Sequence, residues 1–344
     1  MQDAVITGIV LTVLAGVVMG TSPWPLKLMR EFRYEHFAFV SMLFSLIVIP
    51  WIITLILCPN VFSALRQLDS LLLVKANLFS LCWGIAQVLA LLCFVRIGVS
   101  LTYGILVGVA SCVGVVVPMI IKASGAFAQA PELNSKAGIT VLCGVAVMLV
   151  GVYFASLSGF GREKAQQTQA RHPGGFFVGL IMVVLAGALS TGWSFAFAYS
   201  QDSIIRVMLD HGAKPYPASI AVWAVVLPGA ALVNALYPAY LMSKNKSWGV
   251  LARSGREIGL SLLYGLLFFI PSALLGKGML CLGVLGASVG FGIQQSTMML
   301  GAQGLGFLSG EWRGVSGRPR TQIYLAIVIL IVATVIMAFG NSLS

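Results

Sequence analysis

The 344-residue chain is poor in charge: only 9% of its residues are Asp, Glu, Lys or Arg, where a soluble globular chain carries about a quarter. All ten acidic residues lie in tails, in loops or at the edges of apolar runs. The three histidines, His36, His172 and His211, lie in loops or at the ends of such runs. At the level of class, this excludes a soluble enzyme, a nucleic-acid binder and a disordered scaffold. An intramembrane enzyme lacks a nucleophile with a neighbouring base. Gly286-Ala-Ser-Val-Gly290 has serine-hydrolase spacing, but no base within a span accompanies Ser288. A cation exporter would show an intramembrane carboxylate, and none is visible. The six cysteines sit within or at the ends of apolar runs without a Cys-x-x-Cys pair. They read as small hydrophobes rather than as a disulfide framework or a metal site. No metal or organic cofactor is expected.

What the chain has is apolar length. Hydrophobic residues make up 59% of it, and the mean hydropathy is +0.97. A bilayer core needs about 20 apolar residues per helix. That template gives an all-α membrane protein of ten spans: Ala4–Ser22, His36–Cys58, Leu73–Ile97, Leu101–Ile121, Ala137–Ser158, Gly175–Ser200, Pro217–Met242, Gly259–Leu280, Gly283–Leu308 and Thr321–Phe339. The run after Met1-Gln2-Asp3 has no basic flank and is too long for a signal peptide, so it reads as a retained first span.

The net charge of +11 follows the loops. Alternate loops, beginning with that between spans 1 and 2, hold 14 Lys and Arg, against 7 in the opposite set. The positive-inside rule places the first set in the cytoplasm and both termini outside.

The chain also repeats. Gly8, Val13, Leu14, Ala15 and Gly16 match Gly179, Val184, Leu185, Ala186 and Gly187 at a constant offset of 171 residues. Gly104-Ile-Leu-Val-Gly108 in span 4 echoes Gly286-Ala-Ser-Val-Gly290 in span 9. This divides the chain into five-helix halves, 1–158 and 175–344, joined by a cytoplasmic linker, 159–174. Halves of five spans run in opposite senses, the inverted-repeat plan of secondary transporters, with solute bound between them. The paired glycines themselves read first as helix-packing faces. Pro23, Pro25, Pro50, Pro228 and Pro271 each remove a backbone donor and are expected to interrupt or end helices.

Uncharged polar and aromatic residues are the candidates for a solute cavity, because sugars bind through amides, hydroxyls and aromatic faces. They are Asn77, Trp83 and Gln87 on span 3, Tyr103 on span 4, and Ser190, Trp193 and Ser194 on span 6. Trp223 and Asn234 on span 7, with Gln294 and Gln295 on span 9, complete the set. For each, a hydrogen bond between helices is the competing reading. Lys277 is the clearest charge within an apolar stretch: a donor to solute, or a side chain snorkelling from the end of span 8. Lys27, Lys75, Arg96 and Lys122 read as interfacial anchors. The site expectation is therefore Trp83, Gln87, Tyr103, Trp193, Ser194, Lys277 and Gln294.

Several segments resemble the bacterial L-rhamnose–proton symporter family of the drug/metabolite transporter superfamily. They are Pro25-x-Lys27, Pro50-Trp51-x-Ile53 with Pro59-Asn60, Trp83-Gly84-Ile85, and Ser190-x-Gly192-x-Ser194-Phe195-Ala196. Gly229-Ala230 with Asn234, and Glu311-Trp312 followed by Arg318-Pro319, continue the likeness almost end to end. The resemblance implies ten helices in inverted halves, an inner-membrane location and deoxyhexose uptake driven by a proton gradient. The bilayer and a small solute are then the expected partners. A carrier of the same fold for a carboxylate or amino acid is the alternative, and a non-transporting receptor or scaffold a third. Oligomeric state is left open.

Overall fold

The computed structural model describes residues 2–97, 99–121, 132–165, 176–282 and 289–343. The described residues are helical throughout, with short turns between helices. In chain order the helices are α1 (Gln2–Thr21), α2 (Tyr34–Leu43), α3 (Ile49–Leu57), α4 (Val61–Leu65), α5 (Ser70–Ile97), α6 (Val99–Ile121) and α7 (Lys136–Ala165). The second set is α8 (Phe176–Ser190), α9 (Gly192–Asp210), α10 (Pro215–Val226), α11 (Pro228–Lys244), α12 (Gly255–Leu282), α13 (Phe291–Leu308) and α14 (Arg318–Ser342).

Among the described residues, eight helical stretches are long and apolar enough to cross a membrane. The pair α10–α11, bent by 45°, makes a ninth if counted as one span. The chain is a multi-pass membrane protein. The expected span Gly283–Leu308 begins outside the described residues and continues as α13. Gly286, Ser288, Lys122 and His172 also lie outside them.

Prolines act in different ways. After Pro23 the chain leaves α1 through a 3-10 turn, Trp24–Leu28. Between α2 and α3 the span continues through a π turn, Phe44–Val48, in which the Ile49 N–H bonds the Phe44 carbonyl. Pro50 follows in the first turn of α3. Pro271, expected to break its helix, lies inside an uninterrupted α12. Membrane helices tolerate such prolines where neighbouring groups satisfy the freed backbone.

The chain forms two compact units. The first comprises Met1–Thr21, Ala86–Thr191 and Gly278–Ser344; the second comprises Ser22–Ile85 and Gly192–Lys277. Each takes stretches from both sides of residues 159–174.

Lipid offers apolar side chains no hydrophobic incentive to associate, so close packing at small residues holds such helices together. In the first unit, α7 and α14 run against each other over most of their length, around a core that includes Val141, Met148, Leu330 and Met337. α1 lies on α13, and α8 lies on α6. At Gly16 a Cβ would overlap the Thr297 hydroxyl, and at Gly187 it would stand 2.7 Å from Val109 Cβ. One helical stretch earlier, Gly8 faces Leu282 and Gly278 at the end of α12, while Gly179 faces Arg96 and Ile97 at the end of α5.

In the second unit, α2 packs on α11 and α3 on α10. Gly84 of α5 brings that helix onto Ala230 of α11, where a Cβ would be 2.9 Å from the carbonyl oxygen. Gly265 of α12 does the same on Ser41 of α2, at 2.8 Å.

Candidate functional site

The second unit holds a continuous aromatic cluster. The Trp83 and Trp193 rings are 4.5 Å apart. Trp193 stacks on Trp223 at 5.0 Å, and Trp223 stacks on Phe197 at 4.7 Å. Phe268 sits 5.9 Å from both Trp83 and Trp193. Tyr264 and Phe37 extend the series toward α2. Five helices contribute, and helical periodicity supplies two of the pairs: Trp193 with Phe197 on α9, and Tyr264 with Phe268 on α12, each four residues apart and so on one face.

Small residues make this assembly possible. A Cβ on Gly192 would overlap the Phe79 carbonyl, so only glycine lets the start of α9 reach α5. A Cβ on Gly276 would stand 2.8 Å from Trp223 Nε1 and 2.9 Å from Phe197. The cluster is buried: Trp83 and Trp193 are about 5% exposed, and Trp223 is fully buried. The indole N–H groups of Trp193 and Trp223 have no hydrogen-bond partner among the described residues. Such groups usually find one when buried, which makes these two donors available to a hydroxyl or a water.

The bend between α10 and α11 borders this cluster in sequence and has an identifiable cause. Asn77 of α5 inserts its amide where the helix would otherwise close on itself. Its Nδ2 donates to the Val225 carbonyl at 3.0 Å, and its Oδ1 accepts from the Gly229 N–H at 2.9 Å. Val225 and Gly229 are four apart, so the side chain has replaced one rung of the helical ladder, a recognised origin of kinks. Ser80 secures the next carbonyl, that of Val226, at 2.5 Å. Asn77 also donates to the Leu73 carbonyl. Among the cavity candidates, Asn77 is therefore a bridge between helices. Asn234, buried, donates to the Ala230 carbonyl.

The expected site residues divide between the units. Trp83, Trp193 and Ser194 come together in the second, all of them buried. Lys277 belongs to the same unit but is exposed, and its Nζ lies 4.9 Å from the centre of the Tyr216 ring. Its contact is thus with Tyr216 and not with a ring of the aromatic cluster. Gln87, Tyr103 and Gln294 belong to the first unit. Gln87 is half-buried and Tyr103 exposed. Gln294 and Gln295 are buried on α13. Sequence reasoning missed Phe197, Tyr264 and Phe268; their four-residue spacing from other aromatics was the available signal.

The described residues contain no group of three or more His, Cys, Asp or Glu side chains fit to hold a metal. A family model described as L-rhamnose-proton symport protein (RhaT) matches residues 1–343. The chain belongs to this family. Among its relatives is an L-rhamnose-proton symporter of Cronobacter sakazakii, 24% identical over 355 residues and covering 99% of both chains. Symporters of the same name from Escherichia coli and Shigella boydii are also 24% identical, over 347 residues, with 99% of each chain covered. The resemblance read from the sequence segments and the family match thus agree. The Trp83 and Ser190–Ala196 segments that carried the resemblance are the ones that build and flank the aromatic cluster.

Proposed function

We propose that the chain imports L-rhamnose, or a closely similar deoxyhexose, together with protons across a bacterial inner membrane by alternating access. The observation that carries this reading is the family match across residues 1–343, joined to relatives named L-rhamnose-proton symporters that align over their whole length. The aromatic cluster supports a sugar as solute. Deoxyhexoses present one apolar face and several hydroxyls, which suit an indole face and an indole N–H respectively. Trp83, Trp193 and Ser194 are the proposed contacts in the second unit. Gln87, Tyr103 and Gln294 are those of the first. We assign Lys277 to the membrane boundary rather than to the solute, a reading supported by its exposure and its contact with the Tyr216 ring.

The proposed scaffold is ten spans in two inverted halves, 1–158 and 175–344, joined through 159–174, with both termini periplasmic. Packing in the first unit supports it. Gly8 and Gly16 match Gly179 and Gly187 at the 171-residue offset, and each pair makes equivalent approaches. Gly8 faces the end of α12 where Gly179 faces the end of α5; Gly16 faces α13 where Gly187 faces α6. The unit boundaries recur as well, falling after Thr21 and again after Thr191.

The test is uptake of labelled L-rhamnose into proteoliposomes under an imposed pH gradient. Accumulation above equilibrium that collapses with a protonophore is the expected result. Uptake indifferent to the gradient refutes proton coupling. Competition by a carboxylate or an amino acid, with none by sugars, reassigns the solute.

A further inference from the structure

Symport with protons needs a group that takes up a proton and gives it back. Among the described residues, three ionisable side chains of the acidic or histidine type are buried: Glu35, His36 and Glu257, at 6%, 1% and 1% exposure. All three lie in the second unit, where residues 28–36 meet the 245–248 turn and the start of α12. Their bonding separates them.

Glu257 is saturated by backbone. Its Oε2 accepts from the N–H groups of Arg30, Glu31 and Phe32 at 3.1, 3.4 and 3.3 Å, and its Oε1 accepts from Arg30 at 3.3 Å. The Arg256 guanidinium lies 3.9 Å from Oε1. A proton added here would compete with these donors and leave one N–H without its acceptor. His36 is saturated too. Its Nδ1 accepts from the Arg33 N–H at 3.1 Å, so its proton is on Nε2, which faces the Ser247 carbonyl at 3.2 Å and hydroxyl at 3.0 Å. A second proton on Nδ1 would meet the Arg33 N–H and break the cap of α2.

Glu35 differs. It has one hydrogen bond, from Asn245 Nδ2 to Oε1 at 3.0 Å, and no cation within ion-pair distance among the described residues. The charged groups on the surrounding segments are Arg30, Glu31 and Arg33 before it, Lys244 and Lys246 beside Asn245, Arg253 ahead of α12 and Arg256 in its first turn. All are exposed. The nearby phenols are Tyr34 and Tyr237, whose rings are 6.5 Å apart. Glu35 can therefore gain or lose a proton on Oε2 while its one hydrogen bond stays intact, and its residual exposure leaves water a route to it.

We propose that Glu35 is the proton-exchanging residue of the transporter and Asn245 its positioning residue. This rests on the proton-symport reading above. In the step, the carboxylate takes one proton from water on Oε2, passing from charge −1 to neutral, and later returns it to water. No other bond forms or breaks. An ionised carboxylate without a cation is expensive to bury and a neutral one much less so. The proton consequently favours whichever conformation buries Glu35 more fully, and a ligand shifts an equilibrium by that difference.

The test compares wild-type protein and Glu35→Gln in proteoliposomes. Glutamine keeps an Oε1 acceptor for Asn245 and cannot ionise. Labelled L-rhamnose counterflow, which needs no gradient, is expected to persist in the variant. Gradient-driven accumulation and rhamnose-dependent proton uptake are expected to be lost. A variant that accumulates rhamnose and takes up protons as wild type does overturns the assignment. If Glu35→Gln also lacks counterflow, Glu35→Asp decides. Accumulation with a shifted pH profile supports the proposal, and an unshifted profile overturns it. A wild-type protein that accumulates no rhamnose under a gradient removes the symport reading itself, and Glu35 with it.

Discussion

Replacing Asn77 by alanine tests the bend between α10 and α11 directly. The substitution removes the donor to the Val225 carbonyl and the acceptor for the Gly229 N–H. Both backbone groups are then left in a low-dielectric interior. A buried group deprived of its partner costs about 1–3 kcal/mol, so two give about 2–6 kcal/mol if nothing relaxes. Membrane interiors temper such values, since hydrogen bonds between helices average about 0.6 kcal/mol there when the unfolded chain finds other partners. A loss of about 2–4 kcal/mol is therefore expected. It is measurable by unfolding in mixed micelles of increasing SDS, followed by tryptophan fluorescence, because Trp83, Trp193 and Trp223 all report on this unit. Asn77→Asp, when ionised, sets an unpaired carboxylate against the Leu73 and Val225 carbonyls and should destabilise at least as much as alanine. Because both amide hydrogens of Asn77 are already engaged, the half-saturation concentration for rhamnose in the folded fraction should be unchanged. A destabilisation under about 1 kcal/mol would mean that Val225 and Gly229 simply close their own ladder bond. The inserted side chain would then not be the cause of the bend. An intact stability with a raised half-saturation concentration would make Asn77 a solute contact.

Gly16→Leu and Gly187→Leu should each prevent folded protein from accumulating, because the added side chains meet α13 and α6; Gly249→Ala, with nothing within 4 Å, should have no effect on yield or melting. Trp223→Ala empties a fully buried site between two stacked rings and should destabilise by about 3–5 kcal/mol, as read by the same SDS titration, while Trp223→Phe recovers part of this. Lys277→Met removes one exposed cation–π contact worth about 0.5–1 kcal/mol, and should leave rhamnose uptake close to wild type; a complete loss of uptake would return Lys277 to the solute site.

The spans were legible because lipid imposes a simple demand: about 20 apolar residues and no stray charge. That is why Ala4–Ser22 and Thr321–Phe339 coincide with α1 and α14 to within a few residues at most ends. Helix breaks were less legible. Pro228 and Pro271 look alike in sequence, yet one sits at a bend and the other inside a continuous helix. The difference is Asn77, a residue some 150 positions away that substitutes for the missing rung only at the first. The aromatic cluster was half visible. Trp83 and Trp193 stood out by type, whereas Phe268 gains its role from facing both, a fact of packing between distant segments. Glu35 and Glu257 looked like ordinary loop-edge acids, since burial of a polar group at a span end depends on which loop folds over it.

The π turn at Phe44–Val48 has a consequence for how the second span is counted. Ser45 and Thr54 lie on either side of most of that turn, nine positions apart, and both hydroxyls are buried. In a regular helix nine residues advance the side chain by about 900°, which leaves the two on opposite faces. The extra residue of a π turn takes back roughly one step of 100°, bringing them within about 80° of each other. The insertion thus turns both hydroxyls inward, away from lipid. Deleting one residue from Phe44–Val48 would shorten the span by only a fraction of a turn, yet it would rotate everything beyond it, and Thr54 would swing toward the hydrocarbon.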